Sequence, residues 1–280
     1  MTLMTHTELL ISLIPSINET GLIRIGRKKD GGYVIPIDIL RHVTHIISAG
    51  IYLDASFESD LSYRCLIPSN AVILIDKSIR FDIYLASFLR EFFSLNLLTN
   101  FKKAIKYSVV FLLFPLLRQS LVYSFLVGTS SMPGVDQITL QEALGWLIRQ
   151  KNFASGQPSC FLKIDIEGSE YELLEDIISL SGNFCCIAME LHDISSKVLE
   201  LQYFLRSMYN NGFVCAHCHQ NTRSPIDSQS NLPTCIEITL VRDELVSIEY
   251  KTLVSDPFQL THSSLLKAVF RNVSGLDYDN

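Results

Sequence analysis

Three carboxylates crowd the place where one apolar run leaves the core. In LKIDIEGSEYELL (Leu162–Leu174) the run closes on Ile164 and Ile166, and Asp165, Glu167 and Glu170 stand around Gly168. Other apolar runs end the same way. FCCIAMEL (Phe184–Leu191) carries Glu190 with His192 just beyond, FVCAHCH (Phe213–His219) ends on His217 and His219, and AVILID (Ala71–Asp76) ends on Asp76.

These residue types suit three kinds of chemistry. An imidazole titrates near neutrality, and a carboxylate two positions back on the same strand face orients it, so His192 with Glu190 reads as a general base for a hydroxyl. Asp165 and Glu167 are the further bases at that edge. The plainer reading of His192 is a histidine bonded to a strand-end carbonyl. Strand alternation also puts His217 and His219 on one face, as it does Glu190 and His192. With Asp165 nearby, His217, His219 and Glu190 are the expected ligands if a divalent ion is held. Asp76 closes its run 26 positions after Gly50, where an acid can accept hydrogen bonds from both hydroxyls of a ribose. ISAGIYLDASFESDLS has a single glycine and so lacks a phosphate cradle. The expectation is a nucleoside without phosphates, such as S-adenosylmethionine.

Something must carry these groups to one place. Short apolar runs separated by helix-length segments predict an α/β protein with a mostly parallel sheet. The expected strands are His42–Ala49, Ala71–Asp76, Leu121–Val127, Cys160–Asp165 and Phe184–Leu191, with helices over Thr139–Gln150, Glu170–Leu180 and Ser195–Tyr209. Gly168-Ser169 reads as the entry to the second of these helices. Phe213–His219 and Thr234–Arg242 then read as an antiparallel pair closing the sheet. Asp30-Gly31-Gly32 predicts a tight turn between short strands. In open sheets of this kind ligands bind beyond the carboxyl ends of the strands, which is where the acids and histidines gather. Lys163, opposite in phase to Leu162, is expected to pair with a carboxylate. Strand alternation would send Cys215 and Cys218 to opposite faces, as core thiols.

Composition narrows the class. The chain has 280 residues, 48% of them hydrophobic, and a formal net charge of −6. No basic face dominates, which argues against a nucleic-acid partner. Seven cysteines are an odd number and fit free thiols in a reducing compartment. The start, MTLMTHTELLISLIPS, lacks the basic opening of a secretory signal, so a cytoplasmic protein is expected. Phe92–Val135 has no acid but holds Lys102, Lys103, Lys106 and Arg118. Its run Tyr107–Gly128 is broken by Pro115, Arg118 and Gln119, against a spanning helix. It reads as a helical insertion followed by a strand. The sharper alternative is an apolar, basic surface (residues 92–128) on the inner face of an anionic membrane or against a lipid-linked substrate.

Taken in order, RIGRKKDGGYVIP (Arg24–Pro36), ISAGIYLDASFESDL (Ile47–Leu61), VILIDKSIRF (Val72–Phe81), LKIDIEGSEYELL, MELHDI (Met189–Ile194) and HCHQNT…LPTCIEITLVR (His217–Arg242) resemble the successive motifs of FkbM-type methyltransferases. The resemblance covers roughly residues 20 to 245. It implies a Rossmann-like class I methyltransferase fold, with a mostly parallel seven-stranded sheet, an antiparallel last strand and a helical apolar insertion over 81–127. Residues 1–20 and 246–280 would be extensions of a 21–245 methyltransferase domain. The implied activity is methyl transfer from S-adenosylmethionine to an oxygen of a sugar, glycan or other polyhydroxylated small molecule. Gly50, Ser56, Phe57 and Glu58 would line the methionine end of the cofactor, Asp76 would take the ribose, and Asp165 would border cofactor and acceptor alike. Arg27 and the Asp30-Gly31-Gly32 turn would fold over the pocket, with Tyr33 in its wall. The alternative is a methyltransferase-like binding or membrane-associated module without chemistry.

Overall fold

The computed structural model describes residues 9–10, 12–15, 17, 21–28, 31–52, 54–76, 121–123, 126–128, 137–149, 157–221, 224–247 and 269. Continuous apolar runs make its central strands, because both faces of the sheet are covered. They are β3 (His45–Ala49), β4 (Val72–Ile75), β8 (Cys160–Ile164) and β9 (Phe184–His192). The strands of the chain's last part are β10 (Phe213–Gln220) and β11 (Cys235–Arg242). A three-residue strand, β5 (Leu121–Tyr123), pairs along the outer edge of β4. The order across this mixed sheet is β5-β4-β3-β8-β9-β11-β10. Neighbours from β5 to β9 run parallel, whereas β11 is antiparallel to both β9 and β10. Strand order therefore reverses direction between β3 and β8, which is where an open α/β sheet leaves a crevice beyond its carboxyl ends.

Each face has its own core. On one face lie α2 (Leu140–Ile148), α3 (Leu174–Leu180) and α4 (Val198–Asn210), with Leu144, Ile177 and Phe204 fully or almost fully buried. Leu9, Leu10 and Leu13 of the N-terminal segment join this cluster. On the other face α1 (Ser56–Cys65) contributes Phe57 and Leu61. An antiparallel hairpin, β1 (Leu22–Ile25) with β2 (Tyr33–Pro36), covers the rest of that face. Thr239 Oγ of β11 donates to the Val34 carbonyl at 2.7 Å and ties the hairpin down.

Several expectations change in detail. Leu121–Val127 is two strands: β5 joins the main sheet, while β6 (Leu126–Gly128) pairs in parallel with β7 (Gln137–Thr139). Helix α2 starts one residue later than expected because Thr139 is its N-cap, in a reciprocal capping box with Glu142. Ser169 stands at the helical entry, as expected, but its side chain makes no capping hydrogen bond. Glu170–Leu173 is a 3-10 turn leading into α3, and the Glu170 carboxylate itself accepts from the N–H groups of Ile166 and Gly168. A bulge between Cys215 and His217 shifts the register of β10, so Cys215 and Cys218 fall in the same core cluster and not on opposite faces. Both thiols are buried there, as expected. Apart from β5 and β6, the 81–127 insertion lies outside the described residues, as do Asp30 and nearly all of 248–280. Among the described residues no helix is long and apolar enough to cross a membrane.

Candidate functional site

Side chains two apart on a strand share a face, and the pairing registers line them up across the sheet. Ser48, Lys163, Ala188, Thr239 and His217 form one row beneath the hairpin. Nearer the carboxyl ends, Glu190, Glu237 and His219 form the next row, level with the Gly50 and Asp165 strand exits.

The switch point itself is stitched through Gly50. Its N–H donates to the Ile75 carbonyl at 3.0 Å, and the Asp165 N–H donates to the Ala49 carbonyl at 3.0 Å. Gly50 has φ +79°, and a Cβ there would sit 1.4 Å from the Asp165 carbonyl oxygen. Only glycine fits so close a crossing. The Gly50 carbonyl accepts a hydrogen bond from Lys163 Nζ. Lys163 is itself buried, 3.6 Å from Asp165 and 4.0 Å from Glu58, so the expected pairing of this lysine is present. Ser48 Oγ donates to the same Glu58 oxygen.

Asp76 ends β4 beside this crossing, and its carboxylate accepts from the Tyr52 N–H. Ser56 opens α1 with its Oγ buried and without a hydrogen-bond partner among the described residues. Phe57 packs edge-on against Tyr33 with ring centroids 5.3 Å apart, and against Phe161 at 5.4 Å. Phe57 and Glu58 thus serve the packing beneath the rim, while Gly50, Ser56, Asp76 and Asp165 remain at it. Tyr33 reaches over from the hairpin, and its hydroxyl donates to Asp165 Oδ2 at 3.2 Å. Burial raises the carboxyl of Asp165 above its ordinary range, even with Lys163 and Tyr33 opposing the shift. Burial also raises the Tyr33 phenol, aided by Asp165, Glu237 and Glu190.

A second constellation lies at the end of β9. His192 Nδ1 is 3.0 Å from Oε1 of the fully buried Glu170. Its Nε2 lies 3.5 Å from Glu190 and 3.6 Å from Glu167, whose side chain is 87% exposed. The hydrogen bond that its ring N–H donates to Glu170 pushes the imidazole up to about 9, against the effect of burial, with Glu190 and Glu167 adding to it. His192 is therefore mainly protonated at neutral pH, a correction to its reading as an imidazole of ordinary basicity. Burial would raise Glu170, but His192 and the Gly168 N–H outweigh it and lower the carboxyl. Glu190 is raised by burial and by Asp165, although Asn221 Nδ2 (2.8 Å) and Cys235 Sγ (3.0 Å) both donate to its Oε1. The Tyr171 hydroxyl closes the cluster on the His192 carbonyl at 2.8 Å.

The expected ligand set of His217, His219, Glu190 and Asp165 is not brought together. Strand β11 runs between β9 and β10, so Glu237 separates Glu190 from His219 in the register. His217 and His219 do share a face, stacked at 6.2 Å. Among the described residues, Glu190, His192 and Cys235 are the only His, Cys, Asp or Glu group of three with ligand atoms within 4.8 Å of one another.

Sequence reasoning assigned no role to Cys235 or Glu237. Glu237 had a signal, as a lone acid inside an apolar strand run, TCIEITLVR. Cys235 looked like any core thiol.

No protein-family model matches the chain, and no curated protein matches it.

Proposed function

We propose that the chain is an S-adenosylmethionine-dependent O-methyltransferase of Rossmann-like, class I architecture, acting on a sugar or other polyhydroxylated acceptor. The observation that carries this reading is the strand-order reversal between β3 and β8, with Gly50, Asp76 and Asp165 side by side at its mouth. The motif resemblance over residues 20 to 245 supports it.

The donor set fits the cofactor. Gly50 lets the ends of β3 and β8 come together, which sets Asp76 and Asp165 on either side of the strand exit. Asp76 offers a carboxylate for ribose hydroxyls, and the buried Ser56 Oγ offers a hydroxyl for the polar amino-acid end. No glycine-rich phosphate loop competes with this reading. When bound, the sulfonium supplies an electrophilic methyl group. The protein's own task is to hold the acceptor oxygen in line and take its proton. Asp165 is assigned that proton, since burial raises its basicity and Tyr33 and Lys163 both approach a single oxygen, Oδ2. The exposed Glu167, beside the end of β9, binds acceptor hydroxyls.

Calorimetry with purified protein tests the reading. S-adenosylmethionine and S-adenosylhomocysteine should both bind at one site, and Asp76→Ala should weaken both by about 10-fold or more, a loss of ~1.4 kcal/mol or greater. Absence of affinity for either would overturn it.

A further inference from the structure

We infer that Glu190, His192 and Cys235 form a zinc site at the carboxyl end of β9. This does not rest on methyl transfer.

The three residues offer one carboxylate oxygen, one imidazole nitrogen and one sulfur, the donor types zinc takes. Cys235 faces His192 directly in the β11–β9 register. Cys235 Sγ is 3.0 Å and His192 Nε2 3.5 Å from the same Glu190 oxygen. Tetrahedral zinc with its usual bond lengths needs ligand atoms ~3.3–3.7 Å apart. Small side-chain movements on a rigid strand pair bring these atoms to that spacing.

The surroundings match what a metal-bound histidine requires. Imidazole ligands almost always pass their second ring nitrogen to a carboxylate or carbonyl, which fixes the ring and the tautomer. His192 Nδ1 meets Glu170 at 3.0 Å. Glu170 is held rigid in turn by the N–H groups of Ile166 and Gly168. That leaves Nε2 turned toward Glu190. Asn221 supports Glu190 from outside at 2.8 Å. The three ligands leave a fourth position toward Glu167, whose Oε2 is 3.6 Å from Nε2 and which is exposed enough to swing in or yield to water. On binding, the Cys235 thiol proton that now points to Glu190 and any proton on Nε2 leave for solvent, and zinc takes their place. The ion is added as Zn²⁺ and stays Zn²⁺, so no electrons move.

This differs from the ion site expected from sequence. His217, His219 and Asp165 drop out, and Cys235 enters because β11 pairs directly with β9.

The test uses the full chain, stripped with chelator and titrated with Zn²⁺ and separately with Co²⁺. One equivalent of zinc should bind. Cobalt should give the near-ultraviolet charge-transfer band of a thiolate ligand together with the intense visible bands of a four-coordinate ion. Cys235→Ser should abolish the charge-transfer band, and His192→Gln should abolish tight binding. Glu170→Gln, which leaves all three ligands in place, should weaken zinc 10- to 100-fold. Circular dichroism checks that each variant is folded. If Cys235→Ser proves unfolded, the charge-transfer band of the parent and the Glu170→Gln affinity decide. No zinc binding by the folded parent, or cobalt spectra without a thiolate band, would overturn the site. Zinc affinity is read without S-adenosylmethionine, so it can fail while cofactor binding holds, and the reverse.

Discussion

The Asp165 carbonyl lies where the Cβ of residue 50 would be in any residue but glycine. The hypothetical atom is 1.4 Å from that oxygen, and Gly50 has φ +79°. Backbone from β3 and β8 thus crosses at the switch point with no room for a side chain, and neighbouring hydrogen bonds hold both chains there. The crossing fixes how far apart the two halves of the proposed site stand.

Gly50→Ala should therefore cost both conformation and space, about 3 kcal/mol or more. Gly168→Ala is the control. Gly168 has φ +104° but nothing within 4 Å of an added Cβ, so only the left-handed backbone is penalised, by about 1–2 kcal/mol. Urea denaturation of the two variants measures the difference. Equal losses would show that the Gly50 crossing relaxes freely.

Protonation of His192 links stability to pH in the metal-free protein. Its folded value is raised to about 9 from 6.5, so its contribution is complete below about 6.5 and fades as pH climbs through about 9. Glu170 is lowered from 4.5, so its contribution is present above that value and is lost on acidification through its depressed folded value. The pair should stabilise most between about 4.5 and 6.5, with a decline toward 9. Glu170→Gln should flatten the alkaline decline and bring His192 down toward 6.5 in a proton NMR titration. An unchanged titration would dissociate the two residues.

What the sequence made legible follows from how local each cause is. Runs such as VILI and FCCIAMEL read as strands because burial on both faces removes any polar alternation. Acids and histidines after such runs read as a rim because a strand's end is set by the run itself. Leu121–Val127 could not be divided, since apolar character is continuous through it and only pairing partners separate β5 from β6. The β10 bulge between Cys215 and His217 was likewise invisible, because it is defined against β11. The expected metal ligands failed for a related reason: reading β9 and β10 as facing strands ignored that β11 runs between them. Cys235 meets Glu190 across 45 positions of sequence, beyond the reach of any spacing rule. The basicity of His192 depended on Glu170, whose placement needed the 3-10 turn.

Lys163 and Glu58 are both buried, with side chains 4% and 3% exposed and 4.0 Å apart. Removing the lysine leaves the buried Glu58 carboxylate without its neighbouring cation, whereas Lys163 keeps Asp165 at 3.6 Å if Glu58 is lost. Lys163→Met should destabilise by about 3–5 kcal/mol. Adding Glu58→Gln should recover part of that loss, because the stranded carboxylate is gone. A double-mutant cycle in urea measures the coupling. Strict additivity would mean that Lys163 acts through the Gly50 carbonyl and Asp165 and not through Glu58.

If Asp165 takes the acceptor's proton, its environment should be visible in the rate. Asp165→Asn should lower kcat by about 10²–10⁴-fold, with S-adenosylmethionine affinity reduced far less. Burial raises this carboxyl, so the rising limb of kcat against pH should lie above the ordinary aspartate range. Tyr33 donates to Oδ2 and thereby favours the ionised form. Tyr33→Phe should move the limb further up while leaving the plateau rate within a few-fold. A ring that merely packed on Phe57 would leave the limb where it was, since phenylalanine keeps that contact. A limb that follows His192→Gln in place of Tyr33→Phe would transfer the base to the β9 cluster.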